Sequence, residues 1–367
     1  DGTINLSGSG GSGWSIENSH GVELLGRTVV DGKRVAIEGN GGFAEKKNKV
    51  SSGVLIEDSK VLSLITEIDG TGGAGLTKVK FSDGVYLDNS LIKSDLLSIN
   101  GFAGIAGKKV DRSTGVYSFD SRLKSSEILI RGFSGYGEML KLSHGVDFVS
   151  TKLFADTIDI VGRPITDGID SSIPGDSSIS WGELNQGISI QEQSELIASD
   201  DLRLRGAGGN GISQLDGIDI SNSSIQSGNT LRIVGVGGSG EDLSSTTGII
   251  VWGRSTVRSP VITMVGRGGR STATNEFKKS GNYLNDGIYL ENSTISSKPI
   301  DQNFTTSSSG NLPQKKPLIN QQQEKKKEIV KNENQSSEKK EIKKVETIQK
   351  KSFFVLPQKK PAIYKST

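Results

Sequence analysis

Residues 84–115 read GVYLDNSLIKSDLLSINGFAGIAGKKVDRSTG, with apolar residues at Val85, Leu87, Ile92, Leu97 and Ile99. The spacing within each short group is two, the signature of strands with one buried face. Asn89-Ser90 forms a polar corner between the first two groups, and Gly101 closes the third. The stretch therefore predicts one turn of a coil made of three short strands, anchored at Gly84.

The same grammar recurs along the chain. The anchors are Gly21, Gly53, Gly84, Gly115, Gly145, Gly187, Gly217, Gly248 and Gly287, at successive intervals of 32, 31, 31, 30, 42, 30, 31 and 39. The second group is centred on Val29, Val61, Ile92, Leu123, Leu153, Leu196, Ile225, Val257 and Ile295. The third reads apolar-x-apolar-x-Gly, as in Val35/Ile37/Gly39 and Ile262/Met264/Gly266, and Ile4/Leu6/Gly8 is a partial copy at the start. Nothing in this region shows helical spacing. A period of about 31 residues with three strands per turn predicts an all-β fold: a right-handed, single-stranded parallel β-helix of about nine rungs over residues 1–300. At about 4.8 Å per rung, nine rungs make a rod on the order of 40 Å long.

Composition agrees. Of 367 residues, 48 are Gly and only 32% are hydrophobic, too few for a wide globular core. A narrow stack needs one Val, Ile or Leu per inward position. There is no cysteine, and His20 and His144 are the two histidines, so neither a disulfide framework nor a His-rich metal site is available. No cofactor signature appears. No stretch is long and apolar enough for a membrane-spanning helix.

The net charge of +2 averages two different parts. From Asn311 onward there are 15 Lys, 6 Glu and no Gly, so this end carries +9 and the remainder about −7. Residues 301–367 are expected to form a disordered Lys/Gln-rich linker or tail. Its motif LPQKKPLI at Leu312 returns as LPQKKPAI at Leu356. The chain begins at Asp1 and is expected to be a segment of a longer protein.

Length variation is uneven. From third-strand Gly to next anchor the interval is 11 to 14, except Gly162 to Gly187 (25) and Gly266 to Gly287 (21). Both insertions are expected at one corner of the coil, where loops escape the stack and can meet a ligand. Candidate contact residues there are Arg163, Trp181, Arg267, Arg270, Lys278, Lys279 and Tyr283. Arg267, Arg270, Lys278 and Lys279 place positive charge on an acidic body, which points to an acidic polysaccharide or a negatively charged cell surface; no nucleic-acid partner is expected.

Catalytic readings find less support. SHGV occurs at Ser19 and Ser143, and polygalacturonases carry a Gly-His-Gly element. Here the two histidines are four rungs apart, about 19 Å, and the companion acidic and Arg-x-Lys elements are missing. Asp147 and Asp219 lie two rungs apart, about 10 Å, near the separation of an inverting glycosidase pair, but are expected to be exposed and solvated. GFAGIAGKK at Gly101 and GGSGEDL at Gly237 imitate phosphate and calcium loops. Both are expected to be corners after strand three, with Gly adopting positive φ. Tyr86 and Tyr117 should stack in one outward column and, with Tyr289 and Trp252, could offer sugars an aromatic platform.

The units LxIxGxGG, loop, GVxLxNSxIxS resemble the β-helical repeats of large bacterial surface proteins of the filamentous haemagglutinin type. The closest likeness is to Gly-rich versions in cyanobacterial two-partner secreted proteins. This resemblance covers about residues 1–300. It implies export across an outer membrane by a partner transporter, a secreted or cell-surface location, and adhesion. The expected function is a non-enzymatic stalk or adhesive segment. The alternative is a β-helical pectate lyase or polygalacturonase-like enzyme.

Overall fold

The structure is a computed structural model and describes residues 2–105, 109–135, 139–164, 181–240, 245–271 and 286–297. The chain divides into two units, Asp1–Asn303 and Phe304–Thr367. All described residues belong to the first; the expected linker and basic tail lie outside them.

The described residues are all-β and contain no helix. They form a parallel β-solenoid in which every strand pairs with its counterpart one repeat away. In the rung of Gly84 the strands are Val85–Asp88, Leu91–Lys93, Leu96–Phe102 and Lys109–Arg112. Sheets 1, 2 and 3, built from the first three positions, each stack nine strands. Sheet 4, built from the last, contains ten, nine on its main path and Ser12–Asn18 off it, paired with Phe43–Val50. The fourth strand corrects the expected three: the segment after each third-strand Gly is long enough to pair rung to rung.

Sheets 1 to 3 enclose the main core. Val85, Leu87, Ile92, Leu97 and Ile99 are each fully buried, and their equivalents continue above and below. Each such side chain contributes about 1.5–3 kcal/mol by leaving water. Sheet 4 encloses a second, smaller lobe around Val79 and Val110. Its buried serines bond back to glycine carbonyls, as when the Ser113 hydroxyl donates to Gly104 O at 3.1 Å.

The two lobes meet at a glycine seam. A Cβ on Gly101 would lie 1.9 Å from the Gly115 carbonyl oxygen, and one on Gly84 would lie 2.3 Å from Phe102 N. The third-strand and anchor glycines are therefore required by close backbone approach. Positive φ among described glycines is confined to Gly26 and Gly253. This corrects the conformational role expected after strand three.

Left-handed residues lie instead at the polar corner between sheets 1 and 2, including Asp58, Asn89, Asp120, Ser150, Asn222 and Asn292. The next residue builds a ladder: Ser59 N donates to Ser90 Oγ at 3.2 Å and Ser90 N to Ser121 Oγ at 3.0 Å. Three rungs carry an extra residue here, as Gly26-Arg27, Glu192-Gln193 and Gly253-Arg254. In the first of them the extra residue shifts the register, so Val30, not Val29, pairs with Val61 and points inward.

Candidate functional site

Sheet 3 presents an outer face whose charge changes along the stack. Its early strands Arg34–Asn40 and Ile65–Thr71 carry Glu38, Glu67 and Asp69 against Arg34. The five strands from Glu127–Ser134 to Val261–Arg267 carry Arg131, Arg163, Arg203, Arg205, Arg232 and Arg267 against Glu127 and Asp159. All six arginines are exposed. Sheet 3 contains no lysine, although residues 1–310 hold 16 Lys and 13 Arg.

Register fixes their spacing. Arg203 stands opposite Arg232 on the next rung. Arg131, Val161 and Arg205 share the next outward column. Arg163 follows Phe133 in the column beyond, and Arg267 follows Val236 there, three strands on from Arg163. Arg232, Arg205 and Arg163 thus form a diagonal row with steps of about 8 Å, one rung and two residues at a time. The Arg205 Nη2 donates to both carboxylate oxygens of Asp159, at 3.0 and 2.9 Å. Arg203 has Asp201 at 4.0 Å. Arg131, Arg163, Arg232 and Arg267 make no ion pair among the described residues.

Arg163 and Arg267 lie near the ends of their sheet 3 strands, facing solvent. Trp181 opens Trp181–Leu184 opposite Met139, and Arg270 opens Arg270–Ser271 opposite Ser239, both in sheet 4. The first insertion precedes the sheet 4 strand Trp181–Leu184, whereas the second follows Arg270–Ser271. The insertions therefore interrupt the fourth side at two positions, not one corner. Lys278, Lys279 and Tyr283 lie outside the described residues. Sequence alone does not single out Arg131, Arg203, Arg205 and Arg232, because they occupy ordinary outward slots within regular strands. Their common column positions are the signal that could have revealed them.

A second polar region runs between sheets 1 and 4. Tyr86 and Tyr117 stack as expected, with centroids 5.2 Å apart and planes inclined by 16°. They are half-buried beneath Arg112, whose guanidinium is 3.9 Å from the Tyr117 ring centroid. Burial works against the charge of Arg112, and Asp83 more than offsets this, gripping it at 2.7 and 3.2 Å. Ring faces committed in this way do not form an open platform for sugars. Trp252 is 42% exposed, but its indole N–H donates to Asp219 Oδ1 at 2.8 Å. Tyr289 donates to Glu291 at 2.9 Å. Phe102 and Phe133 form a further stack on sheet 3, at 4.7 Å.

The two aspartates are in register through Ser189, two rungs apart. They are not solvated as expected. Asp147 is buried and accepts from Gln191 Nε2 at 3.1 Å. Asp219 accepts from Trp252 and from Gln186 Nε2 at 3.2 Å. Burial pushes the Asp219 carboxyl up to about 6, against the opposing Trp252 hydrogen bond and with help from the nearby Asp216 charge. The smaller, polar second lobe folds beside these outward slots, which a three-strand rung would leave open.

His20 and His144 occupy the position before their anchors, and burial lowers the pKa of both. The His20 Nδ1 accepts from Ser52 N at 3.2 Å, while the buried His144 Nδ1 has no hydrogen-bond partner among the described residues. Among the described residues no group of three His, Asp or Glu side chains is arranged to hold a metal, and no helix is long and apolar enough to cross a membrane. Comparison with protein-family models, curated proteins and solved structures finds no match to this chain.

Proposed function

We propose that this chain is a non-enzymatic, rigid segment of a secreted or surface-displayed bacterial protein, holding an acidic-polysaccharide contact at fixed spacing. The observation that carries the reading is the placement of Arg163 and Arg267, exposed in the same column of sheet 3 beside the two interruptions of the stack. Nine-stranded sheets give these residues a stiff mounting. The repeat grammar supports a surface protein exported with an outer-membrane transporter partner. The hydrogen-bonded state of the buried Asp147 and the half-buried Asp219 supports a non-catalytic reading of that pair.

The test replaces Gly266 to Gly287 with the shorter corner Gly70 to Gly84 and measures retention on immobilised polygalacturonate. The swapped chain should stay folded by circular dichroism and lose attachment. Undiminished attachment would make the second insertion decoration and the rod a spacer. The raised pKa of Asp219, two rungs from Asp147, favours the rival reading of a polysaccharide hydrolase or lyase. Release of new reducing ends or unsaturated products from polygalacturonate would establish that rival.

A further inference from the structure

We propose that the arginine face of sheet 3 is itself a binding site for a linear carboxylated polysaccharide. This deepens the proposed function and assigns the site to Arg203, Arg232, Arg205 and Arg131, apart from the insertions. Three observations point to it. First, the cations of this sheet are all arginine, although residues 1–310 hold 16 Lys beside 13 Arg. Arginine presents a planar fork that matches a carboxylate, and it is less strongly hydrated than an ammonium group.

Second, the face already holds a carboxylate. Arg205 reaches both oxygens of Asp159 within 3.0 Å while remaining half exposed. Third, Arg203 and Arg232 are direct cross-strand neighbours of like charge, which costs stability. Asp159, opposite Arg203 on its other side, is bonded to Arg205, and Arg232 has no ion pair among the described residues. An extended sugar chain can follow the diagonal of Arg232, Arg205 and Arg163, with successive carboxylates meeting guanidinium groups about 8 Å apart.

Shape separates this ligand from other polyanions. The outward slots among Arg203, Arg232, Arg205 and Arg131 are filled by the aliphatic Leu129, Val161, Val234 and Val265, and the nearest aromatic ring, Phe133 beside Arg163, is already stacked on Phe102. Neither Trp nor Tyr stands in that field to anchor the face at a lipid interface. A flat uronate ribbon requires neither.

The experiment uses the full chain and polygalacturonate, with fully methyl-esterified polygalacturonate as the uncharged control. Arg203→Ser with Arg232→Thr should leave the circular dichroism spectrum unchanged and weaken binding about tenfold at low salt, with a shallower salt dependence. Arg203→Lys with Arg232→Lys keeps the charge and should recover only part of the affinity. Three outcomes would overturn the proposal: binding by the Ser/Thr variant within twofold of the parent chain, equal binding of the esterified control, or stronger arginine-dependent binding to phosphatidylserine vesicles or single-stranded DNA. Full recovery by the lysine pair would overturn recognition through the arginine fork. If the loop swap alone abolishes binding and the Ser/Thr variant does not, the insertion reading stands and the sheet 3 site falls. The reverse pattern keeps this site and removes the insertions from the account.

Discussion

Arg203 and Arg232 face solvent side by side on adjacent strands of sheet 3, in register and of like charge. Strands about 4.8 Å apart keep two such guanidinium groups within strong mutual repulsion. Arg203 has the Asp201 oxygen at 4.0 Å and Asp159 opposite it on the other side, whose carboxylate is bonded to Arg205. Arg232→Thr removes the repulsion and places a good strand former in an outward slot. Its expected effect is a gain of roughly 0.3–1 kcal/mol in low salt, shrinking as salt screens the pair. Urea unfolding at two ionic strengths checks this; a loss of stability would show that Arg232 is a structural residue.

The glycine seam predicts sharply different costs for two glycines. A Cβ at Gly101 meets Gly115 backbone atoms at 1.9 and 2.5 Å, so rungs must separate to admit it. Gly101→Ala should cost about 3 kcal/mol or more. Gly26 has φ of 61° and open space around its Cβ position. Gly26→Asn keeps a residue that tolerates this conformation and should cost less than about 1 kcal/mol. Denaturation midpoints of the two variants provide the comparison.

Most of the solenoid is legible in the sequence because inward slots tolerate few residue types. The repeated Val, Ile and Leu positions set the period and the main core. The misreadings share a physical cause. Thr66 is buried in sheet 3 although polar, because its hydroxyl lies 2.6 Å from Ser63 Oγ. The fourth strand leaves little apolar signature because its lobe is filled by Ser51, Ser82, Ser113 and Asn48, which look like loop residues. Without that lobe Asp147 reads as solvated and the tyrosine stack as uncovered. Val29 reads as the inward residue in place of Val30 because the added corner residue has no hydrophobic signal. Of the candidate site, Arg163 and Arg267 stand out beside insertions, whereas Arg203 and Arg232 acquire meaning only when strands are brought into register.

The polar seam predicts opposing contributions to acid stability. Asp219, facing Asp216, Asp147, Gln186 and Trp252, has its pKa raised to about 6, above the ordinary aspartate value near 4. Its folded state therefore binds a proton more tightly than the unfolded chain. That contribution is fully present below about pH 4 and lost as pH rises through about 6, a difference of roughly 2–3 kcal/mol. His144 works the other way. Burial favours its neutral form, with Asp147 and Arg112 nearby, so stability falls as acid forces protonation. Asp219→Asn keeps an acceptor for Trp252, while the Gln186 amide can turn to accept from the new amide. The variant should melt higher at pH 7.5 and like the parent at pH 4. An unchanged difference across this range would rule out Asp219 titration as its cause.

Arg112 provides the last prediction, because charge and packing can be separated there. Its side chain and that of Asp83 are 14% and 1% exposed, and Asp83 also accepts from Thr114 N at 3.1 Å. The guanidinium simultaneously covers the rings of Phe81, Tyr86 and Tyr117. Arg112→Met preserves much of the side-chain volume but leaves the Asp83 carboxylate enclosed without its cation. The expected loss is about 3–5 kcal/mol. Adding Asp83→Asn removes that uncompensated charge and retains an acceptor for Thr114 N, so the double variant should recover much of the loss. Arg112→Lys keeps a charge but replaces the two-point grip and the planar stack with a single ammonium, and should fall between the parent and Arg112→Met. A double-mutant cycle by urea denaturation measures the coupling. Additive effects of Arg112→Met and Asp83→Asn would assign the role of Arg112 to packing over the aromatic column, with the ion pair contributing nothing of its own.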